Sequence, residues 1–190
     1  MTRRASLGAI LATSLLLAGC GGSSGAATTA PPHSGTAATA AAVEGKEGGF
    51  TTVIPAGYQN SIASTGGSVI RFQYLATAPM TEGFRSNINI LREPARSGDI
   101  AAVTAAELRT LSALTLHSAP APASTALTVD GEPARSVEYS LPEGSVMPRI
   151  KQVYALSGGL VYIITNTALP ARYPESLTAL DQVLAGWHWH

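Results

Sequence analysis

The sequence predicts an α+β domain in which helices cover both faces of a mostly antiparallel sheet of about six strands. Segments with the alternation typical of β-strands occur in two groups, and a segment with helical spacing follows each group. Short glycine-containing turns join neighbouring strands of the second group, and such turns connect antiparallel strands. Residues 161–164 are apolar on both faces, which predicts a central strand covered on both sides. Together these patterns indicate an α/β/α sandwich.

The first group contains three predicted strands, at 50–54, 68–76 and 83–93. Apolar and polar residues alternate in each of them, as expected of a strand with one buried face. The first strand ends at a Pro-Ala-Gly turn, residues 55–57. The apolar positions expected in the core are Phe50, Ile54, Ile70, Phe72, Tyr74, Phe84, Ile88 and Ile90.

A helix is predicted over residues 99–117, between the two groups of strands. Asp99 is a favourable N-cap and its charge suits the helix dipole. Pro120 and Pro122 follow and end the helical pattern. The apolar residues at helical spacing are Ile100, Val103, Leu108, Leu111 and Leu114.

The second group of strands is organised around two tight turns. Asp130-Gly131 predicts the first turn, after which Val137, Tyr139 and Leu141 alternate with polar residues. Residues 149–168 form the clearest hairpin, with Ser157-Gly158 or Gly158-Gly159 as its turn. A final helix begins at Pro174, a residue favoured in the first turn. Its apolar positions are Leu177, Leu180, Leu184 and Trp187.

The first 19 residues have the features of an export signal. Arg3 and Arg4 precede an apolar run at 7–17, and small residues follow it. As a helix this run of 11 residues measures about 17 Å, which is too short for a bilayer core of about 30 Å. We therefore expect a signal peptide at 1–19 and no permanent transmembrane helix.

Residues 17–20, Leu-Ala-Gly-Cys, resemble a bacterial lipobox. This resemblance implies that the Cys20 thiol receives a diacylglycerol unit and that a peptidase cuts between Gly19 and Cys20. Two acyl chains, such as palmitate, give stable membrane attachment. The alternatives are an ordinary secretory signal with a chance cysteine, or a free reactive thiol. Cys20 is the only cysteine of the chain, which excludes an intramolecular disulfide and a thiolate metal cluster.

Composition divides the rest of the chain into a tether and one domain. Residues 20–49 contain the expected lipidated cysteine and an Ala-, Thr-, Gly-, Ser- and Pro-rich stretch that predicts a disordered tether, with O-linked sugars as an open possibility. Residues 50–190 fit one globular domain. Loss of Arg3 and Arg4 from the 12 basic residues leaves 10 against 12 acidic ones, a balance that argues against nucleic acid as a partner.

Residues 50–190 resemble the LpqN/LpqT-type lipoproteins of actinobacteria, within the PsbP-like and DcrB-like superfamily. The resemblance is carried by IPAGY, GFRSNINI, VDGEPARSVEYS, GGLVYIITNTA and LDQVLAGWHW. Tyr58 stands where relatives more often have Trp. The resemblance implies a PsbP-like α/β/α sandwich that serves as a binding or interaction module and not as an enzyme. It supplies no catalytic motif to carry over.

Few residues suggest chemistry. Among the histidines, His33 falls in the tether, His117 ends the first helix, and His188 and His190 form an H-x-H pair without an evident third ligand. No G-x-S-x-G or phosphate-binding glycine motif occurs. Glu138 and Glu143 are the carboxylates that a glycosidase would need, although both fall on a solvated face or loop. We therefore predict no catalytic residue, no metal site and no cofactor.

Arg85, Asn87 and Asn89 are candidates for ligand binding, because asparagine is disfavoured in strands and both amides fall on one face. One interpretation is a polar cleft beside Arg85. The other is a solvent-facing or edge strand that tolerates asparagine.

The sequence favours a lipid-anchored protein on the extracytoplasmic face of the cell membrane. Its domain is expected to bind another envelope protein, a lipid or a glycan without catalysing a reaction. The alternative is a hydrolase or transferase that acts on envelope material. A deep pocket with histidine and carboxylates would favour the enzyme, whereas an apolar cavity or an aromatic patch would favour binding.

Overall fold

The computed structural model describes residues 41–66, 68–114, 122–143 and 145–190. The strands within these ranges are β1 Ala42–Glu44, β2 Phe50–Val53, β3 Gln59–Asn60, β4 Tyr74–Thr77, β5 Asn87–Pro94, β6 Ser124–Val129, β7 Glu132–Ser140, β8 Arg149–Ser157, β9 Leu160–Ala168 and β10 His188–Trp189. The helices are α1 Ile100–Leu114 and α2 Tyr173–Ala185. Two 3-10 helices lie at Ile62–Thr65 and Pro170–Arg172.

The main sheet is antiparallel throughout, as predicted. Its seven strands follow the order β3-β4-β5-β9-β8-β7-β6. The sequence predicted about six strands, and the difference includes β3, whose two residues are too few to show a period of two. The central position belongs to β9, the strand predicted to lie there.

Helices cover both faces of this sheet, which confirms the α/β/α architecture. On one face, α2 packs against β9 in a cluster that includes Phe50, Ile164, Leu180 and Trp187. On the other face, α1 packs against β7 and β8 through a cluster that includes Leu111. Because β9 contributes side chains to both clusters, it is buried on its two faces.

A second, three-stranded sheet lies on the α2 side, in the order β1-β2-β10. It corrects three predictions. Residues 50–53 belong to this sheet and not to the main one. Trp187, predicted as the last apolar position of the final helix, lies beyond the helix end at Ala185 and leads into the strand His188–Trp189. Residues 42–44, assigned to the disordered tether, form β1, because they pair with β2 and Val43 packs against the core.

The second predicted strand is also shorter than its alternation suggested. Strand β4 begins at Tyr74, whereas residues 68–73 are irregular. The reason lies in Gln73, whose carbonyl accepts a hydrogen bond from the Lys46 N–H and whose side-chain carbonyl accepts one from the Glu47 N–H. The Gln73 carbonyl is thus satisfied by the β1–β2 connection, whereas its N–H still donates to the Ile90 carbonyl of β5 at 2.8 Å.

The two predicted tight turns are confirmed. Asp130 and Gly131 have φ values of 46° and 83°, and Gly158 and Gly159 have φ values of 58° and 76°. Positive φ at both central residues is the type I′ geometry that matches the twist of a hairpin. The N-cap of α1 is confirmed as well, since the Ala101 N–H donates to Asp99 Oδ1 at 2.9 Å.

Candidate functional site

Asn87 and Asn89 lie in the interior of the main sheet. Strand β5 pairs with β4 on one side and with β9 on the other, so the edge-strand interpretation is wrong. Both side chains are half-buried. The two amides contact each other, since Asn89 Nδ2 donates to Asn87 Oδ1 at 3.0 Å.

Arg85 joins this pair only through its backbone. Asn87 Nδ2 lies 3.5 Å from the Arg85 carbonyl oxygen, and the hydrogen bonds found among the described residues do not link the Arg85 guanidinium to either amide. The sequence therefore placed the two asparagines correctly on one face, and a polar cleft beside the Arg85 side chain stays a prediction.

The amides continue into a polar row across the α1 side of the sheet. Residues opposite each other in neighbouring strands point to the same face, and Asn87 faces Thr167 while Asn89 faces Thr165. Thr165 in turn faces Gln152 on β8. We define the polar row as Asn87, Asn89, Gln152, Thr165 and Thr167. The two asparagines are its accessible members, because the other side chains are buried.

Buried hydroxyl groups fix the inner end of the polar row. The hydroxyls of Tyr139 and Tyr154 both donate to Gln152 Oε1, at 2.9 Å and 2.7 Å, and Gln152 Nε2 donates to Thr165 Oγ1 at 3.2 Å. Burial raises the pKa of both tyrosines. They consequently stay neutral donors and hold the Gln152 amide in one orientation.

A half-buried carboxyl group on α1, that of Glu107, lies near one acidic and one basic side chain on this side of the sheet. Burial, followed by the charge of Glu93, raises the pKa of Glu107, and Arg96 opposes the shift. Glu107 also raises the pKa of Tyr154. Glu107 does not stand out in the sequence, because a glutamate in an alanine-rich helix resembles an ordinary exposed residue.

A charged cluster lies on the opposite face of the sheet, around Glu138. Its carboxylate accepts a hydrogen bond from the Tyr173 hydroxyl at 3.1 Å and lies 3.2 Å from Lys151 Nζ. Arg149 Nη2 lies 3.4 Å from the same carboxylate, and the Arg149 guanidinium covers the Tyr173 ring at 4.1 Å from its centroid. Glu138 is thus paired with two cations. Glu143, the other carboxylate considered from sequence, lies in the β7–β8 loop.

The histidines at the end of the chain belong to the small sheet. His188 is exposed, and its Nδ1 lies 3.6 Å from Asp130 Oδ1. The His190 N–H donates to the Gly49 carbonyl. No group of three histidine, cysteine or acidic residues with the geometry of a metal site occurs in the described part of the chain.

One cleft lies at the end of the sheet away from Asn87 and has a volume of about 550 Å³. It is bounded by the β5–α1 loop, the start of β7 and the β8–β9 turn, and its charged residues are Asp99 and Glu132. A second cleft of about 260 Å³ separates β1 from the 3-10 helix Ile62–Thr65. Asp99 caps α1 through Oδ1, and Glu132 and Ser157 contribute further polar side chains to the lining of the first cleft.

Several predicted residues lie outside the described ranges: Gly19, Cys20, His33 and His117. The signal peptide and most of the tether lie there too. Among the residues that the structure describes, neither helix has both the length and the apolar character needed to cross a bilayer.

No protein-family profile and no curated protein sequence matches the chain. Solved structures share its fold, among them the following two. The solution structure of cyanobacterial PsbP (CyanoP) from Synechocystis matches with a TM-score of 0.55 at 12% identity, over 85% of this chain and 98% of that one. The crystal structure of Mycobacterium tuberculosis LpqN, described as involved in cell envelope biogenesis, matches with a TM-score of 0.56 at 15% identity, over 78% of this chain and 89% of that one.

At these identities the likeness concerns the fold. The chain has a PsbP-like fold, as the sequence motifs predicted.

Proposed function

We propose that the protein is a lipid-anchored lipoprotein of the cell envelope whose domain is a non-catalytic binding module outside the cytoplasm. The single observation that carries the anchor is Cys20, the only cysteine, placed after an apolar run and two small residues. The likeness in fold to LpqN, a protein described as involved in cell envelope biogenesis, supports the same location.

The polar row supports binding as the role of the domain. The accessible groups, Asn87 and Asn89, are neutral, and an amide supplies two donors and two acceptor lone pairs. Their mutual hydrogen bond leaves the Asn89 carbonyl oxygen without a protein partner among the described residues. Uncharged donors and acceptors on a rigid sheet suit a ligand rich in hydroxyl groups, so a glycan is the favoured class over a lipid or a charged protein surface.

The anchor is tested by Cys20→Ala in the producing cell, with Ser24→Ala as the matched control in the tether. We expect wild type and the control to enter the detergent phase and to incorporate an alkyne-labelled fatty acid. Cys20→Ala should do neither. If Cys20→Ala partitions into detergent like the wild type, the anchor proposal is wrong.

Binding is tested by co-sedimentation of the protein with insoluble peptidoglycan and, separately, by flotation with phosphatidylglycerol vesicles. Asn87→Ala/Asn89→Ala should lose sedimentation with peptidoglycan, whereas Gln59→Ala, an exposed amide on β3, should keep it. Flotation that depends on the same two asparagines would favour a lipid ligand. Equal sedimentation of all variants would contradict a role for the polar row.

The alternative function, a hydrolase acting on envelope material, is favoured by one observation. A glutamate whose pKa is raised by burial beside a second carboxylate is the arrangement of a general acid, and Glu107 lies near Glu93 in this way. Release of soluble sugar from peptidoglycan by the wild type, abolished by Glu107→Gln, would support this alternative over binding.

A further inference from the structure

Strand β6 forms a long open edge of the main sheet. It contains six residues, Ser124–Val129, and β7 is the only described strand that pairs with it. At one end of β6, the Val129 carbonyl also accepts a hydrogen bond from Trp189 Nε1 at 3.0 Å. The other described edge strands contain two or three residues: β1, β3 and β10. Thr125, Ala126 and Thr128 are exposed. The edge is therefore both accessible and long enough to pair with another strand.

This edge also lacks the features that normally prevent pairing. Natural edge strands carry lysine or other charges, proline, or bulges that block a neighbouring strand. The sequence of β6, STALTV, has no charged residue and no proline, and its register with β7 is unbroken from Ser124↔Val137 to Val129↔Glu132.

The pairing with β7 identifies the free backbone groups. In an antiparallel pair, hydrogen-bonded and non-hydrogen-bonded residue pairs alternate. Pro133 lacks an N–H and faces Thr128, so Thr128 occupies a non-hydrogen-bonded position. Ser124 and Ala126 then follow at the same kind of position. The N–H and C=O groups of these three residues point outward, away from β7.

We propose that β6 pairs with β6 of a second copy of this chain, antiparallel, with Ala126 opposite Ala126 of the partner subunit. The free groups are symmetric about Ala126, because Ser124 lies two residues before it and Thr128 two residues after it. In this register Ser124 faces Thr128 of the partner subunit, and every outward N–H and C=O group gains a partner. A two-fold axis requires this self-complementarity.

The side chains are compatible with the same register. On the α2 side of the sheet, Thr125 would face Leu127 of the partner subunit, and the half-buried Leu127 would gain apolar cover. At the centre, the small side chain of Ala126 imposes no steric barrier between the strands. Since β6 carries no charged side chain, β6 brings no like charges together across the two-fold axis. The pairing would join the two main sheets into one continuous sheet.

Site-specific cross-linking tests the register. In the full chain with Cys20→Ser, an introduced cysteine is the only thiol. Ala126→Cys would place two Cα atoms about 5.5 Å apart, within the disulfide range of roughly 4.4–6.8 Å. Thr128→Cys is the matched control, because its symmetry mates would be offset by about 13 Å along the strands. We expect mild oxidation to cross-link Ala126→Cys at least about tenfold faster than the control.

Sedimentation velocity tests the association itself. The wild-type chain should sediment as a dimer and Ala126→Pro as a monomer, because proline removes an outward N–H that has no partner among the residues the structure describes. Should Ala126→Pro fail to fold by circular dichroism, Thr128→Lys replaces it, since an edge lysine blocks pairing. A monomeric wild type, or equal cross-linking at residues 126 and 128, would overturn the proposal.

Discussion

The ring of Phe50 stacks parallel on the indole of Trp187, with centroids 4.2 Å apart and planes inclined by 8°. Both side chains are fully or almost fully buried. Phe50 lies in the small sheet and Trp187 directly after α2, so this stack joins the last helix to the N-terminal strands. Tyr162 of β9 contacts both rings edge to face, which connects the stack to the main sheet.

We expect Trp187→Ala to lower the free energy of unfolding by about 3–5 kcal/mol, the range for removing a buried aromatic side chain. Urea denaturation followed by far-UV circular dichroism measures the change. Val69→Ala is the control, because Val69 is 98% exposed and its truncation should leave the midpoint unchanged. A midpoint for Trp187→Ala equal to that of Val69→Ala would show that the stack does not stabilise the fold.

Alanine substitutions at Gly49 and Gly57 distinguish the cost of steric overlap from the cost of backbone strain. Both have positive φ, 91° and 79°, but a Cβ at Gly49 would lie 2.5 Å from the Tyr162 hydroxyl oxygen, whereas a Cβ at Gly57 would have no neighbour within 4 Å. Gly57→Ala should cost about 1–2 kcal/mol from the backbone conformation alone. Gly49→Ala should cost clearly more in the same urea titration. Equal costs would mean that the Tyr162 side chain moves aside freely.

The N-cap of α1 can be tested by Asp99→Ala. Loss of the hydrogen bond to the Ala101 N–H should lower the free energy of unfolding by about 1 kcal/mol. Asp181→Ala, which removes an exposed aspartate from α2, is the control and should change stability little. Thermal unfolding of both variants provides the comparison. A smaller effect for Asp99→Ala than for Asp181→Ala would contradict the capping role.

Glu107→Gln should stabilise the domain at neutral pH. Because the folded-state pKa of Glu107 is raised above its ordinary value of 4.5, the folded protein binds the proton more tightly than the unfolded chain. The wild type therefore loses stability as pH rises from 4.5 through the folded-state pKa, and Glu107→Gln avoids this loss.

Urea titrations from pH 4 to pH 8 should show a gain for Glu107→Gln that is largest at high pH and absent near pH 4. Glu93→Gln is a useful comparison, since it removes the neighbouring charge and should reduce the shift of Glu107. If the increase in stability of Glu107→Gln were independent of pH, it would arise from packing and not from the titration of Glu107.

The sequence predicted those parts of the fold that depend on local patterns. The β8–β9 hairpin has its turn and alternation within one short stretch, and β9 is recognisable because it is apolar on both faces. The small sheet could not be predicted in this way. Its strands β1, β2 and β10 come from opposite ends of the chain, and β10 is too short to show a period.

The candidate site was predictable to the same extent. Asn87 and Asn89 stand out because asparagine is unusual in a strand, and they lie side by side as expected. Gln152 and Thr165 complete the polar row only through the register of β8 with β9, which no local pattern specifies. Glu107 acquires its raised pKa from burial, a property of the assembled fold.

The small sheet determines which hydrogen bonds would carry a mechanical force applied on the N-terminal side of the domain. Force arriving at Ala42 loads the β1–β2 ladder, and β2 is in turn held by β10 and by the bond from the Thr52 hydroxyl to the Val183 carbonyl. Removal of His188–Trp189 by a carboxypeptidase would therefore delete the strand β10 and weaken the attachment of β2 to the domain. The resistance of β1 and β2 to mechanical unfolding therefore depends on an intact C-terminal strand β10.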